Sequence, residues 1–316
     1  MLSRLAESLF WIGRYVERAE DTTRLLEVHT HMVLEDTPAD VEAACRAVLS
    51  VMGVPASDGG PEDELTVTQV MELLAFDRAT SASIATSLVA ARENARGARD
   101  TISSEMFNCL NRVYNRLPSE VAAARRGGPA PFFSWVRSAS AEFHGLADST
   151  MSRDEGWLFL VLGRSLERVD MTARLLATRA HVATETPHWV TLLRLCGAYE
   201  SHLRTYRGAV EPAQVAQFLL LDRLFPRSVF SALRTAEQCL AELQPLVGRA
   251  GVADEARRAL GRARTSIEYG RPEELLEGMP GHLEMLQSAV VIASDAVARR
   301  YFRSGEAMAW HREATV

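Results

Sequence analysis

The stretch Gly13-Arg14-Tyr15-Val16-Glu17-Arg18-Ala19-Glu20-Asp21-Thr22-Thr23-Arg24-Leu25-Leu26 decides how the rest of the chain is read. It returns 150 residues later as Gly163-Arg164-Ser165-Leu166-Glu167-Arg168-Val169-Asp170-Met171-Thr172-Ala173-Arg174-Leu175-Leu176. Glycine, arginine, glutamate, arginine, an acid, threonine, arginine and two leucines recur in register without a gap. Both copies lie in long proline-free windows rich in helix formers, which predicts helix. At about 100° per residue, Leu5, Leu9, Ile12, Val16, Ala19, Thr23 and Leu26 share one apolar side. Gly13, Glu17, Glu20 and Arg24 share another, with Arg14 and Asp21 beside them. The second copy sets Gly163, Glu167, Asp170 and Arg174 in the same places.

A solvated charged face is the ordinary meaning of such a stripe. Two details favour an internal ion-pair network or binding site instead. A solvated face needs charge but not identity, and here the identities recur. A glycine inside a helix also costs about 1 kcal/mol relative to alanine, yet both copies keep one beside the charges. Close approach of another helix or of a ligand explains such a glycine.

The chain has 316 residues, 47% of them hydrophobic, enough for a large core, and its formal net charge is -6. Its arginines alternate with acids rather than forming a basic face, which gives no reason to expect nucleic acid. No lysine occurs; all 35 basic residues are arginine. A lysine Schiff base and a phosphate-loop lysine are therefore excluded. Asparagine is confined to Asn94, Asn108, Asn111 and Asn115, a cluster on one side of a predicted helix. The cysteines Cys45, Cys109, Cys196 and Cys239 form no C-x-x-C pair and read as reduced, buried thiols of a cytoplasmic protein. The charged N-terminus does not read as a signal peptide. The apolar run Trp157 to Leu162 is too short to span a bilayer, so no membrane association is expected.

The expected fold is all-α, a bundle of roughly ten helices in two duplicated halves, with no β-like alternation. Helices are predicted over about 2–35, 39–52, 68–74, 81–117, 132–148, 153–183, 189–207, 212–221, 227–247, 253–269 and 281–303. A second internal match, Asp77-Arg78 with Ser83-Ile84 and Leu88 against Asp222-Arg223 with Ser228-Val229 and Leu233, lies at an offset of 145. The Arg126-Gly127-Gly128-Pro129 segment predicts the break between halves, giving 1–128 and 129–303 packed as one unit, with a frayed tail over 304–316.

The first half alone carries Arg92-Glu93-Asn94-Ala95-Arg96-Gly97-Ala98-Arg99. Arg92, Arg96, Arg99 and Ser103 share a helix face, and arginines so placed need anions opposite. Glu17, Glu20, Glu167 and Asp170 are candidates, as is an anionic ligand held by arginine forks. The candidate site or network thus comprises Arg14, Glu17, Arg18, Glu20, Arg24, Arg92, Glu93, Asn94, Arg96, Arg99, Arg164, Glu167, Arg168, Asp170 and Arg174. A carboxylate-bridged metal centre needs Glu-x-x-His on a helix, and Glu185-Thr186-Pro187-His188 has its proline at a helix boundary. His29 and His31 cannot face one metal together, and His144 and His181 read as surface or interface residues. No metal or cofactor is expected, and neither a hydrolase nucleophile motif nor a phosphate loop occurs.

These motifs, Met1-Leu2-Ser3-Arg4 through Trp11-Ile12-Gly13-Arg14-Tyr15-Val16-Glu17-Arg18-Ala19-Glu20, then Arg92 to Arg96, then Gly163 to Arg168, resemble the bacterial alpha-E family over nearly the whole chain. Thr22-Thr23 stands where that family has a more apolar pair. The resemblance implies an α-helical companion of circularly permuted ATP-grasp proteins, encoded near transglutaminase-like peptidases. It implies amide-bond formation or editing in peptides, with Glu17-Arg18 and Glu167-Arg168 as the family motif. The expected function is a non-catalytic subunit of an ATP-grasp-type ligase that holds an anionic peptide or amino-acid substrate. Two alternatives stay open: an enzyme using Glu17 or Glu167 as acid or base, and a purely structural interaction protein. A homo-oligomer is compatible with either.

Overall fold

A computed structural model describes residues 1–32, 38–55, 65–180, 186–245, 249 and 251–302. The described residues form fourteen α-helices and one π-helical turn, with no strand. The all-α expectation holds, although the helices outnumber the ten or so expected. In order they are α1 (Ser3–Met32), α2 (Pro38–Met52), α3 (Val67–Met71), the π-helical turn (Glu72–Phe76), α4 (Ile84–Gly97), α5 (Ser104–Gly127), α6 (Ala130–Thr150) and α7 (Glu155–Ala180). Then come α8 (Thr186–Leu195), α9 (Tyr199–Tyr206), α10 (Pro212–Leu221), α11 (Val229–Leu243), α12 (Glu255–Tyr269), α13 (Pro272–Glu277) and α14 (Met279–Tyr301). The tail beyond 302 and the Glu185 side of the Glu-x-x-His letters lie outside the described residues.

Two expected helices are each broken in two. The stretch 81–117 ends its first helix at Gly97, and Ser103 then turns extended and accepts a hydrogen bond from the Met106 amide to start α5. Ser103 is therefore a helix cap and not a fourth member of the arginine face. The stretch 189–207 breaks at Gly197, whose φ of 60° is open to glycine. Conversely, Pro118 does not end α5, which runs on to Gly127.

The chain divides into two compact units, Tyr15–Met151 and Met1–Arg14 together with Ser152 onward. The division falls within α1 and ahead of α7, not at Gly128 as expected. The Gly-Gly-Pro turn joins two packed helices: α6 lies on α5, with Arg112 paired to Glu142 across them and Phe132 against Phe76 at 5.5 Å. A glycine-proline turn marks a chain reversal, and a reversal between packed helices is an αα-hairpin within one unit.

In the unit Tyr15–Met151, α4, α5 and α6 pack in sequence, and α4 also meets the π-helical turn. In the other unit, α7, α11, α12 and α14 each touch the next and close a ring, a four-helix bundle. Its seams show the helical spacing, with Leu283, Leu286, Val290, Ala293 and Val297 buried along α14 and Leu260, Ala263 and Ile267 along α12.

The Asp77 and Asp222 segments share four hydrogen bonds at matching positions. Asp77 accepts from the Ala79 and Thr80 amides, as Asp222 does from Leu224 and Phe225. Ser83 donates to the Asp77 carbonyl and caps Thr86; Ser228 donates to the Asp222 carbonyl and caps Ser231.

The four cysteines are buried and form no disulfide among the described residues. Burial raises the Cys109 thiol to about 11 and Cys239 to about 12, so neither is a ready nucleophile.

His202 on α9 is 1% exposed, lies 4.8 Å from the Tyr206 ring and 5.5 Å from Phe218, and has no hydrogen bond at either ring nitrogen. Burial lowers its pKa from the ordinary 6.5, so the native imidazole is neutral. Below that ordinary value the unfolded chain takes up a proton that the folded chain refuses, and stability falls with pH. Urea unfolding of His202→Leu from pH 7 down to about pH 5 should lose less stability over this range than the parent does.

Candidate functional site

The repeated segments meet through their glycines. A Cβ on Gly13 would lie 2.1 Å from the Leu160 carbonyl oxygen and 2.9 Å from the Arg164 nitrogen. A Cβ on Gly163 would lie 2.0 Å from the Phe10 carbonyl oxygen and 3.3 Å from the Arg14 nitrogen. The contacts are reciprocal: each glycine receives the backbone three residues before, and one residue after, the other. Only hydrogen fits there, which accounts for glycine in both copies.

This approach brings Arg14 of α1 beside Glu167 of α7. Arg14 Nε donates to Glu167 Oε2 at 2.7 Å, with the side chains 1% and 3% exposed. Arg14 Nη1 also donates to the Ser294 hydroxyl on α14 at 3.0 Å. The guanidinium lies 6.0 Å from the Phe10 ring and 5.8 Å from Trp11. Two charges held this far from water require close partners.

The rest of the stripe follows the same plan in both copies. Glu17, Glu20, Glu167 and Asp170 are all buried, while Arg18, Arg24, Arg168 and Arg174 are half-buried. The burial of residues 13–26 and 163–176 matches position by position except at Arg14 and the half-buried Arg164. Arg24 pairs with Glu20 at 2.8 Å and Arg174 with Asp170 at 3.0 Å, each one helical turn apart. Arg18 lies over the Tyr15 ring, and Arg168 points toward the Pro226 carbonyl. The charged stripe is thus interior and not a solvated face.

Within Tyr15–Met151, Glu17 Oε2 lies 3.4 Å from His144 Nε2 on α6. Ligand atoms of Glu17, Glu20 and His144 lie within 4.8 Å of one another, close enough to surround one small cation. Arg24 already supplies Glu20 with a counter-charge. His144 was expected at the surface or an interface; it is half-buried, next to the buried Ser140–Phe143–Ala147 stripe of α6. That stripe was the sequence signal for its inward position.

Arg92, Arg96 and Arg99 find their partners on α4 and α5. Arg92 donates to Asn111 Oδ1 on α5 at 3.2–3.3 Å, pairs with Glu93 at 2.5 Å and lies 4.7 Å from the Tyr114 ring. Arg96 is exposed and near Glu93 at 3.6 Å, and Arg99 lies over the Phe107 ring. Their mutual repulsion is answered by neighbours on α4 and α5 and by solvent. Asn94 donates to the Ala90 carbonyl of its own helix. Of the clustered asparagines, Asn111 is the one that ties α4 to α5.

A model of the Alpha-E family, described as a predicted alpha-helical domain with a conserved ER motif, matches residues 1–302. Uncharacterised proteins of Mycobacterium bovis and Mycobacterium tuberculosis are 28% identical over 305 residues, a match covering 87% of this chain and 33% of theirs. The chain therefore spans about a third of the length of these curated relatives. No solved structure matches it.

Breaking the Arg14–Glu167 pair leaves one charge without its buried partner. Glu167→Gln or Arg14→Met alone should each lose about 3–5 kcal/mol of unfolding free energy. The double variant R14M/E167Q should lose clearly less than the sum of the two. Guanidinium unfolding of the four proteins measures this cycle, and strict additivity would show that the pair is not coupled.

Proposed function

The chain belongs to the alpha-E family, and on that premise we propose that it is a non-catalytic helical subunit of an amide-forming system. Its partner in this reading is an ATP-grasp-type ligase, and its working place is the cytoplasm. A transglutaminase-like peptidase of the same system is a second candidate partner.

The observation that carries the non-catalytic part is the burial of the stripe carboxylates. Arg14 and Glu167 are spent on each other at 2.7 Å, 1% and 3% exposed, and Glu20 and Asp170 each hold an arginine one turn along the same helix. Side chains used this way fix helices and do not meet substrate. A general acid or base needs a reacting atom within hydrogen-bond reach, and Glu17 is 0% exposed.

The partner rests on the family resemblance, and one further fact favours it. The curated relatives carry the matching region within chains about three times as long, so this domain occurs joined to further polypeptide. Among the described residues no helix is long and apolar enough to cross a membrane.

Affinity purification of the tagged chain from its own cells at native expression, read by mass spectrometry, tests the proposal. The expected result is an ATP-grasp protein in stoichiometric amount, and no turnover of ATP or peptide by the chain alone. Recovery of the chain by itself, or turnover by the purified chain, would overturn it.

A further inference from the structure

Two departures from regular helix line one cleft of about 610 Å³ in the unit Tyr15–Met151. One is the π-helical turn Glu72–Phe76; the other is Pro118 inside α5. π-helical turns recur at functional sites because the wider turn re-aims its side chains. Pro118 has no N–H, so it cannot give the Tyr114 carbonyl its usual helical donor. Tyr114 and Pro118 both line the cleft.

The charges there leave one group over. Arg125 is matched by Glu72 and stacked over Phe76 at 5.4 Å. The Asp77 carboxylate accepts from the Ala79 and Thr80 amides at 2.9 Å and from the Thr80 hydroxyl at 2.6 Å. The Arg78 side chain is exposed and makes no ion pair or hydrogen bond among the described residues. Asn115 likewise offers an uncommitted amide. Arg92, fixed by Asn111, lies 4.7 Å from the Tyr114 ring. Phe76, Val89, Leu117 and Val121 supply apolar wall.

We propose that this cleft binds the C-terminal end of a peptide whose last side chain is apolar. Arg78 takes the terminal carboxylate through its planar fork. The Tyr114 carbonyl accepts from a peptide N–H, and the Asn115 amide donates to a peptide carbonyl. The apolar wall takes the last side chain. A simple fatty carboxylate would satisfy Arg78 and the wall but leave the Asn115 amide and the Tyr114 carbonyl without partners, which selects a peptide. The volume lies in the range of small-ligand sites. This deepens the proposed function by naming its substrate class and rests on that reading, but it is tested on the isolated chain.

The experiment is isothermal titration of the full chain with acetyl-Gly-Gly-Ala-Leu bearing a free carboxylate, with the same peptide as its C-terminal amide, and with octanoate. Saturable one-to-one binding of the free acid is expected, weakened at least about tenfold in the amide and in Arg78→Ala, as loss of a charge-assisted fork requires. Arg78 is exposed and unpaired, so Arg78→Ala should keep the parent melting temperature. Val121→Trp, which places a large side chain in the lining, should abolish binding. No saturable binding, binding indifferent to both variants, or octanoate binding as tightly as the peptide would each overturn the proposal. A negative titration leaves co-purification of the ligase unaffected, so the two failures are distinguishable.

Discussion

Everything distinctive in the repeated motif depends on two helix backbones meeting where neither has a side chain. Gly13 and Gly163 each sit where the other helix's carbonyl oxygen would lie about 2 Å from a Cβ. At that separation no side chain larger than hydrogen fits, and the helices are held by backbone contact and by the residues just beyond the glycines. Arg14 follows Gly13 directly, and Glu167 stands one turn past Gly163. The crossing is what puts their charged ends 2.7 Å apart in the interior.

A buried ion pair of this kind is weak evidence for stability, because desolvation offsets much of the attraction. Its strength lies in selectivity. A register shift of one residue between α1 and α7 would place a Cβ against a carbonyl and leave Arg14 without an acid. The pair and the glycines therefore exclude the same wrong packings by different physics, one steric and one electrostatic. The one-turn pairs Glu20–Arg24 and Asp170–Arg174 extend this by balancing charge within each helix. A fold that commits its glutamates and arginines in this way uses them to hold its helices in one register.

Much of this was legible in the sequence, for a definable reason. The identity of Gly, Arg, Glu and Arg between two copies marked positions where charge alone does not suffice, and Gly13 pointed to a close approach. Periodicity also gave the helical class, and the Asp-Arg blocks at 77 and 222 led to segments that share their capping bonds. What periodicity could not give was the third dimension. Arg92 and Arg96 lie one turn apart on α4 and Arg99 just past its end, but which neighbour answers them depends on how α4 packs against α5, where Asn111 meets Arg92. His144 reaches Glu17 from 127 residues away, a contact that no local pattern encodes. The break at Gly97 was missed because a capping serine and a continuing helix look alike until the backbone is seen. A Gly-Gly-Pro turn marks a reversal without saying whether the two helices it joins stay together, and here α5 and α6 do.

The crossing is tested most directly by the unfolding free energies of Gly13→Ala, Gly163→Ala and Gly145→Ala. Gly145 lies within α6 with nothing near the position of an added Cβ. There alanine should raise stability by about 1 kcal/mol through helix propensity alone. At Gly13 and Gly163 the same change should lower it by about 3 kcal/mol or more, since backbone and not a flexible side chain must move. Stabilisation at Gly13 and Gly163 like that at Gly145 would contradict the crossing, and with it the placement of Arg14 against Glu167.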